Sequence, residues 1–211
     1  MTNYYKKKLV IYRLLTIYLY LCIMKKETDC RRFTARIFTS EYVDGNGVFV
    51  GNHLITAAHV LDGSKSFEVW VDDKYFRIET SSAIFFQTPE TNESGNFLDL
   101  AIYTLDDIER PIGFYGGDLN KADIICMAWK HSVETTTKRE VWTPFETDAM
   151  YIGRNGNFIE CMMSDPVIKG YSGCPLFSDG KLVGTLYGSG DEGRTCFFLS
   201  GEAIRRIIDN I

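Results

Sequence analysis

The chain has 211 residues, 45% of them hydrophobic and 24% charged, so it can bury a sizeable core and is not wholly disordered. Its net charge of −5 is unevenly spread: residues 1–26 hold six basic and no acidic side chains, leaving 17 basic against 28 acidic in the remainder. A body that acidic is a poor generic partner for nucleic acid or anionic lipid, and no nucleic-acid partner is expected.

Residues 9–24 read LVIYRLLTIYLYLCIM between Lys6–Lys8 and Lys25–Lys26. Residues 1–24 are therefore read as a hydrophobic leader, with three origins open. It could anchor the chain in a membrane, although the run is short and contains Arg13. It could be a signal peptide, although no small-residue cleavage site follows. It could be an upstream extension, with Met24 of MKKETDC as the true start. Membrane association through residues 9–24 follows from the first reading and a cytoplasmic protein from the third.

From residue 33 onward the chain reads as short strands and tight turns, and aromatics at 14% fit that class. Val48–Val50 and Leu54–Thr56 flank Gly51-Asn52, Phe67–Val71 and Tyr75–Glu79 flank residues 72–74, and Ala83–Phe86 and Leu98–Leu105 lie either side of a polar loop at 88–96. Residues 106–120 carry no periodic run and are taken as the inter-domain linker. A second group follows: Ile124–Trp129, Val141–Phe145, Ala149–Arg154, Asn157–Met162, Pro175–Ser178, Leu182–Tyr187 and Cys196–Leu199. Asn155-Gly156 and Asp179-Gly180 mark hairpins. In the tail, Ile204, Ile207, Ile208 and Ile211 fall on one face of a helix. This spacing predicts an all-β protein of barrels or sandwiches closed by a short C-terminal helix. None of the six cysteines lies in C-x-x-C spacing, so no zinc or other metal site is expected, and buried free thiols are.

Three patterns carry chemistry: Thr56-Ala57-Ala58-His59-Val60, Leu98-Asp99-Leu100-Ala101-Ile102 and Gly170-Tyr171-Ser172-Gly173-Cys174-Pro175. A serine hydroxyl needs a base with a pKa near 7 to attack an amide, which is histidine. The histidine needs an acceptor on its other nitrogen, and a carboxylate in an apolar setting supplies one while being costly unpaired. His53, in a predicted turn, and His131, in a polar stretch, are read as structural.

In this order, the three patterns resemble the trypsin-like (chymotrypsin-fold) serine proteases. The resemblance covers residues 33–211, and its compact loops are more similar to HtrA-type bacterial proteases or small plant-virus proteases than to digestive enzymes. It implies two six-stranded antiparallel β-barrels, residues 33–115 with His59 and Asp99, and residues 116–211 with Ser172 and the terminal helix. It further implies a His59-Asp99-Ser172 triad, an oxyanion hole from the Gly170 and Ser172 amides, a peptide or protein substrate, and no cofactor. Cys174 stands two residues beyond the serine and is read as a buried small residue rather than the nucleophile.

Departures from the family also carry expectations. Tyr171 replaces the Asp that serves the zymogen switch of digestive enzymes, so that switch is not expected. By resemblance the specificity pocket has its floor at Pro166, Val167 and Ile168, giving an apolar preference. If the loop is offset by one residue, Asp165 would reach the floor and select Lys or Arg. Leu186, Tyr187 and Gly188 would bind substrate backbone as an added strand. No PDZ-like region follows residue 211, so an HtrA-type regulatory module is not expected. Two rivals remain: a protease fold that binds peptides with little or no turnover, and a domain cut from a viral polyprotein.

Overall fold

The computed structural model describes residues 30–40, 43–71, 74–88, 98–108 and 112–211. The leader assigned to 1–24 lies outside them. Among the described residues, no helix is long and apolar enough to cross a membrane.

The first half builds β1 (Thr34–Thr39), β2 (Asp44–Val50), β3 (His53–Thr56), β4 (Ser66–Val71), β5 (Lys74–Glu79), β6 (Phe85–Gln87) and β7 (Leu100–Thr104), with a four-residue helix α1 (Ala58–Leu61) directly after β3. They form one antiparallel sheet in the order β5-β4-β1-β2-β3-β7-β6. The second half builds β8 (Ile124–Val133), β9 (Glu140–Asn155), β10 (Phe158–Met163), β11 (Pro175–Ser178), β12 (Lys181–Gly190) and β13 (Thr195–Ser200), which close into a six-stranded barrel. Helix α2 (Gly201–Ile208) ends the chain, capped by Ser200, whose hydroxyl accepts from the Ala203 N–H.

The two-sheet, mostly β architecture is the one expected, with two local differences. The first sheet has seven strands and an open ladder, where a closed barrel of six was expected. The added strand is β1, whose pattern is obscured because Thr34 and Thr39 are buried alongside Ala35 and Ile37, while Arg36 points outward over Trp70 and Trp129. In the second half, Val141–Phe145 and Ala149–Arg154 are parts of the single strand β9. The polar residues between them hid its continuity, and Thr147 is in fact buried. Pro144 is tolerated because that stretch pairs with β8 alone, while β10 pairs only with residues 149–155.

Alternation along β2, β3 and β7 explains their unbroken apolar runs. Phe49, Leu54, Ala101 and Tyr103 face the interior of the first sheet. Their neighbours Val48, Val50, Ile55, Leu100 and Ile102 face the opposite way, into a core shared with Met127, Phe177, Leu182, Leu199 and Ile204 of the second half. Both faces of these strands are therefore buried, at about 1.5–3 kcal/mol per large apolar side chain. This shared core presses the two sheets together and holds the end of β3 and the start of β7 against the turn before β11. Ile204 is fully buried in it and Ile207 and Ile208 pack at its edge, whereas Ile211 lies beyond the helix and is exposed.

Candidate active site

His59 sits in α1, immediately after β3, and not on the strand itself. Asp99 lies one residue before β7, next to β3 in the sheet. Its carboxylate accepts from the His59 backbone N–H at 2.8 Å through Oδ1 and bonds the ring Nδ1 through Oδ2. The Asp99 side chain is 1% exposed and that of His59 42% exposed, so the pair has a buried anchor and an accessible tip. With Nδ1–H directed to the carboxylate, Nε2 carries the lone pair, and it lies 2.9 Å from Ser172 Oγ. The hydrogen bond to Asp99 raises the His59 pKa above 6.5; burial opposes this, and the Asp99 charge adds to the rise.

The segment carrying Ser172 is a tight turn before β11. Tyr171 N–H donates to the Ile168 carbonyl at 3.2 Å, and Gly170 between them has φ of +97°. A positive φ at the third residue of such a turn is the signature of type II and favours glycine there. Among the described residues, the N–H groups of Gly170 and Ser172 have no acceptor. Gly173 has φ of +78°, and a Cβ on it would fall 2.2 Å from the Asn46 carbonyl oxygen and 2.7 Å from Thr56 Oγ1. The small pair Ala57-Ala58 belongs to the same packing, since the Ala57 amide nitrogen would lie 3.0 Å from that Cβ. Gly173→Ala is accordingly expected to destabilise the protein by about 2–5 kcal/mol, from left-handed strain plus overpacking. A fall in the urea midpoint at unchanged slope would show it; an unchanged midpoint would contradict the close approach.

Tyr171 is buried and its ring packs against Phe145 with centroids 4.6 Å apart, and burial pushes its phenol up to about 12. An aromatic plug thus fills the position that a carboxylate takes in digestive enzymes. Cys174 is fully buried with its Sγ 3.4 Å from Cys126 Sγ, and burial holds its thiol well above the ordinary range. A neutral thiol sealed in the barrel core is no nucleophile. Cys126, Cys161, Cys174 and Cys196 are all buried and unbridged. His53 Nδ1 lies 3.3 Å from the Thr104 hydroxyl oxygen, and His131 pairs with Asp44 and packs against Trp142.

The residues assigned to substrate binding are distributed unevenly. Asp165 is exposed, and its carboxylate accepts from the Thr147 hydroxyl at 3.4 Å. Pro166 is half-buried, Val167 packs into the barrel core with its N–H on the Gly193 carbonyl, and Ile168 is exposed. Leu186 is not free to bind a substrate backbone: its N–H donates to Cys174 and its carbonyl accepts from Gly173. The open edge starts at Tyr187. Beyond Thr185 the β11 ladder has ended, and Gly188–Gly190 pair with β13 alone. A side chain on Gly188 would meet nothing within 4 Å, so the sheet face there borders open space. Burial, with the nearby Asp99 charge adding to it, raises the Tyr187 phenol above its usual value.

Asn46 was not singled out by any sequence signal. It is completely buried in β2. Its backbone N–H donates to the Ser172 carbonyl at 2.8 Å, and its Nδ2 donates to the Gly170 carbonyl at 2.9 Å and the Trp129 carbonyl at 3.2 Å. Its Oδ1 accepts from the Trp129 N–H at 2.6 Å. The partners lie 83 to 126 positions away along the chain, out of reach of any local pattern.

No protein-family model and no curated protein matches the sequence. Solved structures do match its fold. The Rv3671c protease of M. tuberculosis in its active form has 19% identity and a TM-score of 0.63, over 87% of this chain and 82% of that one. The tobacco etch virus protease complexed with product has 15% identity and a TM-score of 0.56, over 86% and 79%. An inactivated protease paralogue of the scabies mite has 15% identity and a TM-score of 0.62, over 88% and 93%. The chain therefore has the trypsin-like, chymotrypsin-type fold.

Proposed function

We propose that the chain is a serine endopeptidase acting through His59, Asp99 and Ser172. The observation that carries this reading is the hydrogen-bonded series from the buried Asp99 carboxylate through His59 to Ser172 Oγ. The fold alone does not decide activity, since an inactivated paralogue shares it.

In the proposed reaction, Ser172 Oγ attacks the peptide carbonyl while His59 Nε2 takes its proton. His59 then protonates the leaving amine, and an acyl-enzyme forms on Ser172. Water, deprotonated by His59, hydrolyses that ester. Asp99 holds His59 in the productive tautomer and stabilises the imidazolium. The N–H groups of Gly170 and Ser172 receive the oxyanion, each worth about 2.7–4 kcal/mol by analogy with a related hole. The type II turn supports this role, because reversal of its central peptide would turn the Gly170 N–H away. Substrate backbone adds as a strand along Tyr187–Gly190. An apolar residue before the cut is the preference that the family resemblance implies.

The test is labelling with a fluorophosphonate probe and mapping of the adduct by mass spectrometry. Modification of Ser172, with cleavage of a peptide library, is expected. An unlabelled, folded protein that still binds peptides would favour the rival reading as a binding module.

A further inference from the structure

We infer that Asn46 is a positioning residue that sets the oxyanion turn and aligns it with His59. This inference rests on the protease reading above.

The two proposed oxyanion donors, Gly170 N–H and Ser172 N–H, lie on neighbouring stretches of one short turn. Asn46 grips that turn at two points, its side chain on the Gly170 carbonyl and its backbone on the Ser172 carbonyl. The two gripped carbonyls flank the Tyr171–Ser172 peptide, which carries the Ser172 donor. With Tyr171 N–H also held by Ile168, the Gly170–Tyr171 peptide is fixed at both ends.

The orientation of the amide is dictated by its partners. Two carbonyls face Nδ2 and one N–H faces Oδ1, so the reverse orientation would set oxygen against oxygen twice. The contact with Trp129 is two-pronged, to both its N–H and its carbonyl, as a pairing strand would make. This ties β2 of the first sheet to β8 of the barrel. The Asn46 carbonyl accepts from Thr56 Oγ1 at 2.6 Å, three residues before His59. One buried side chain and its backbone therefore join the histidine-bearing segment, the barrel wall and the nucleophile turn.

Two variants separate these roles. Asn46→Ala removes the whole amide. Asn46→Asp keeps an acceptor for the Trp129 N–H but sets a carboxylate oxygen against the Gly170 carbonyl. Both keep the backbone bond to Ser172. In folded protein, kcat is expected to fall on the order of 100-fold while KM stays within about twofold, Asn46→Asp being at least as impaired as Asn46→Ala. Affinity for a peptide aldehyde, whose adduct places an oxygen in the hole, should fall in parallel. Affinity of the Ser172→Ala background for an uncleaved peptide should not change. Unchanged kcat in folded variants, a rise in KM alone, or failure of both variants to fold would each overturn the positioning role. A wild type that neither hydrolyses peptides nor labels at Ser172 would instead overturn the protease reading.

Discussion

Replacing Ser172 by alanine is expected to lower kcat by about a million-fold, the scale seen when a triad nucleophile is removed. The change deletes one oxygen atom, the hydroxyl that lies 2.9 Å from His59 Nε2 and that would carry the acyl group. The fold should survive it. The Ser172 carbonyl keeps its bond from Asn46, Gly173 keeps its bond to Leu186, and the left-handed glycines are untouched. The unfolding midpoint should therefore stay near that of the wild type, and fluorophosphonate labelling should vanish. Residual hydrolysis about 10³–10⁴-fold above the uncatalysed rate would reflect the oxyanion donors and substrate alignment. Because the triad acts as a unit, removing His59 in addition should cost little more. A Ser172→Ala protein cleaving casein at the wild-type rate would refute the proposed mechanism.

The second large effect is expected at Asp99. Asp99→Asn should lower kcat by about 10⁴-fold. The side-chain oxygen of the asparagine can still accept from the His59 backbone N–H, so α1 stays in place. Its NH₂ group then faces the ring, Nδ1 must accept, and the proton moves to Nε2, where it blocks uptake of the Ser172 proton. The pH profile tests the same contact. His59 serves as base only when neutral, so activity is lost as pH falls through its pKa. Asp99 raises that pKa, mainly through the hydrogen bond, so the acid limb of wild-type kcat/KM should lie above pH 6.5. In Asp99→Asn the raising contributions vanish while burial still lowers the pKa, and the limb should move to lower pH. A limb that does not move would show that Asp99 does not face the titrating imidazole.

Much of the fold was readable locally. Hairpin residues such as Asn155-Gly156 and Asp179-Gly180 punctuate the chain, and apolar runs between them mark strands. The readable signal failed where burial departed from the simple alternation of one wet and one dry face. β1 hides two buried threonines, and β9 carries a buried threonine and a proline in its middle. The open edge of β12 begins one residue later than the strand pattern alone would place it. Leu186 and Tyr187 are both β12 residues, but only the three-dimensional arrangement reveals that Cys174 and Gly173 already occupy Leu186.

For the site, the sequence by itself determined which groups were chemically available. One histidine after a pair of small residues, one aspartate in an apolar run and one serine in a glycine-bracketed turn are local facts about residue type and neighbours. Tertiary structure decided whether they meet. Asp99 and His59 are 40 positions apart and become partners because β3 and β7 pair; Ser172 joins them because the shared core presses barrel and sheet together. Asn46 and the Tyr171–Phe145 packing belong to this second category. A buried asparagine and an aromatic plug are defined by partners distant in the chain, and periodicity along a strand reports which face is buried but not what lies against it.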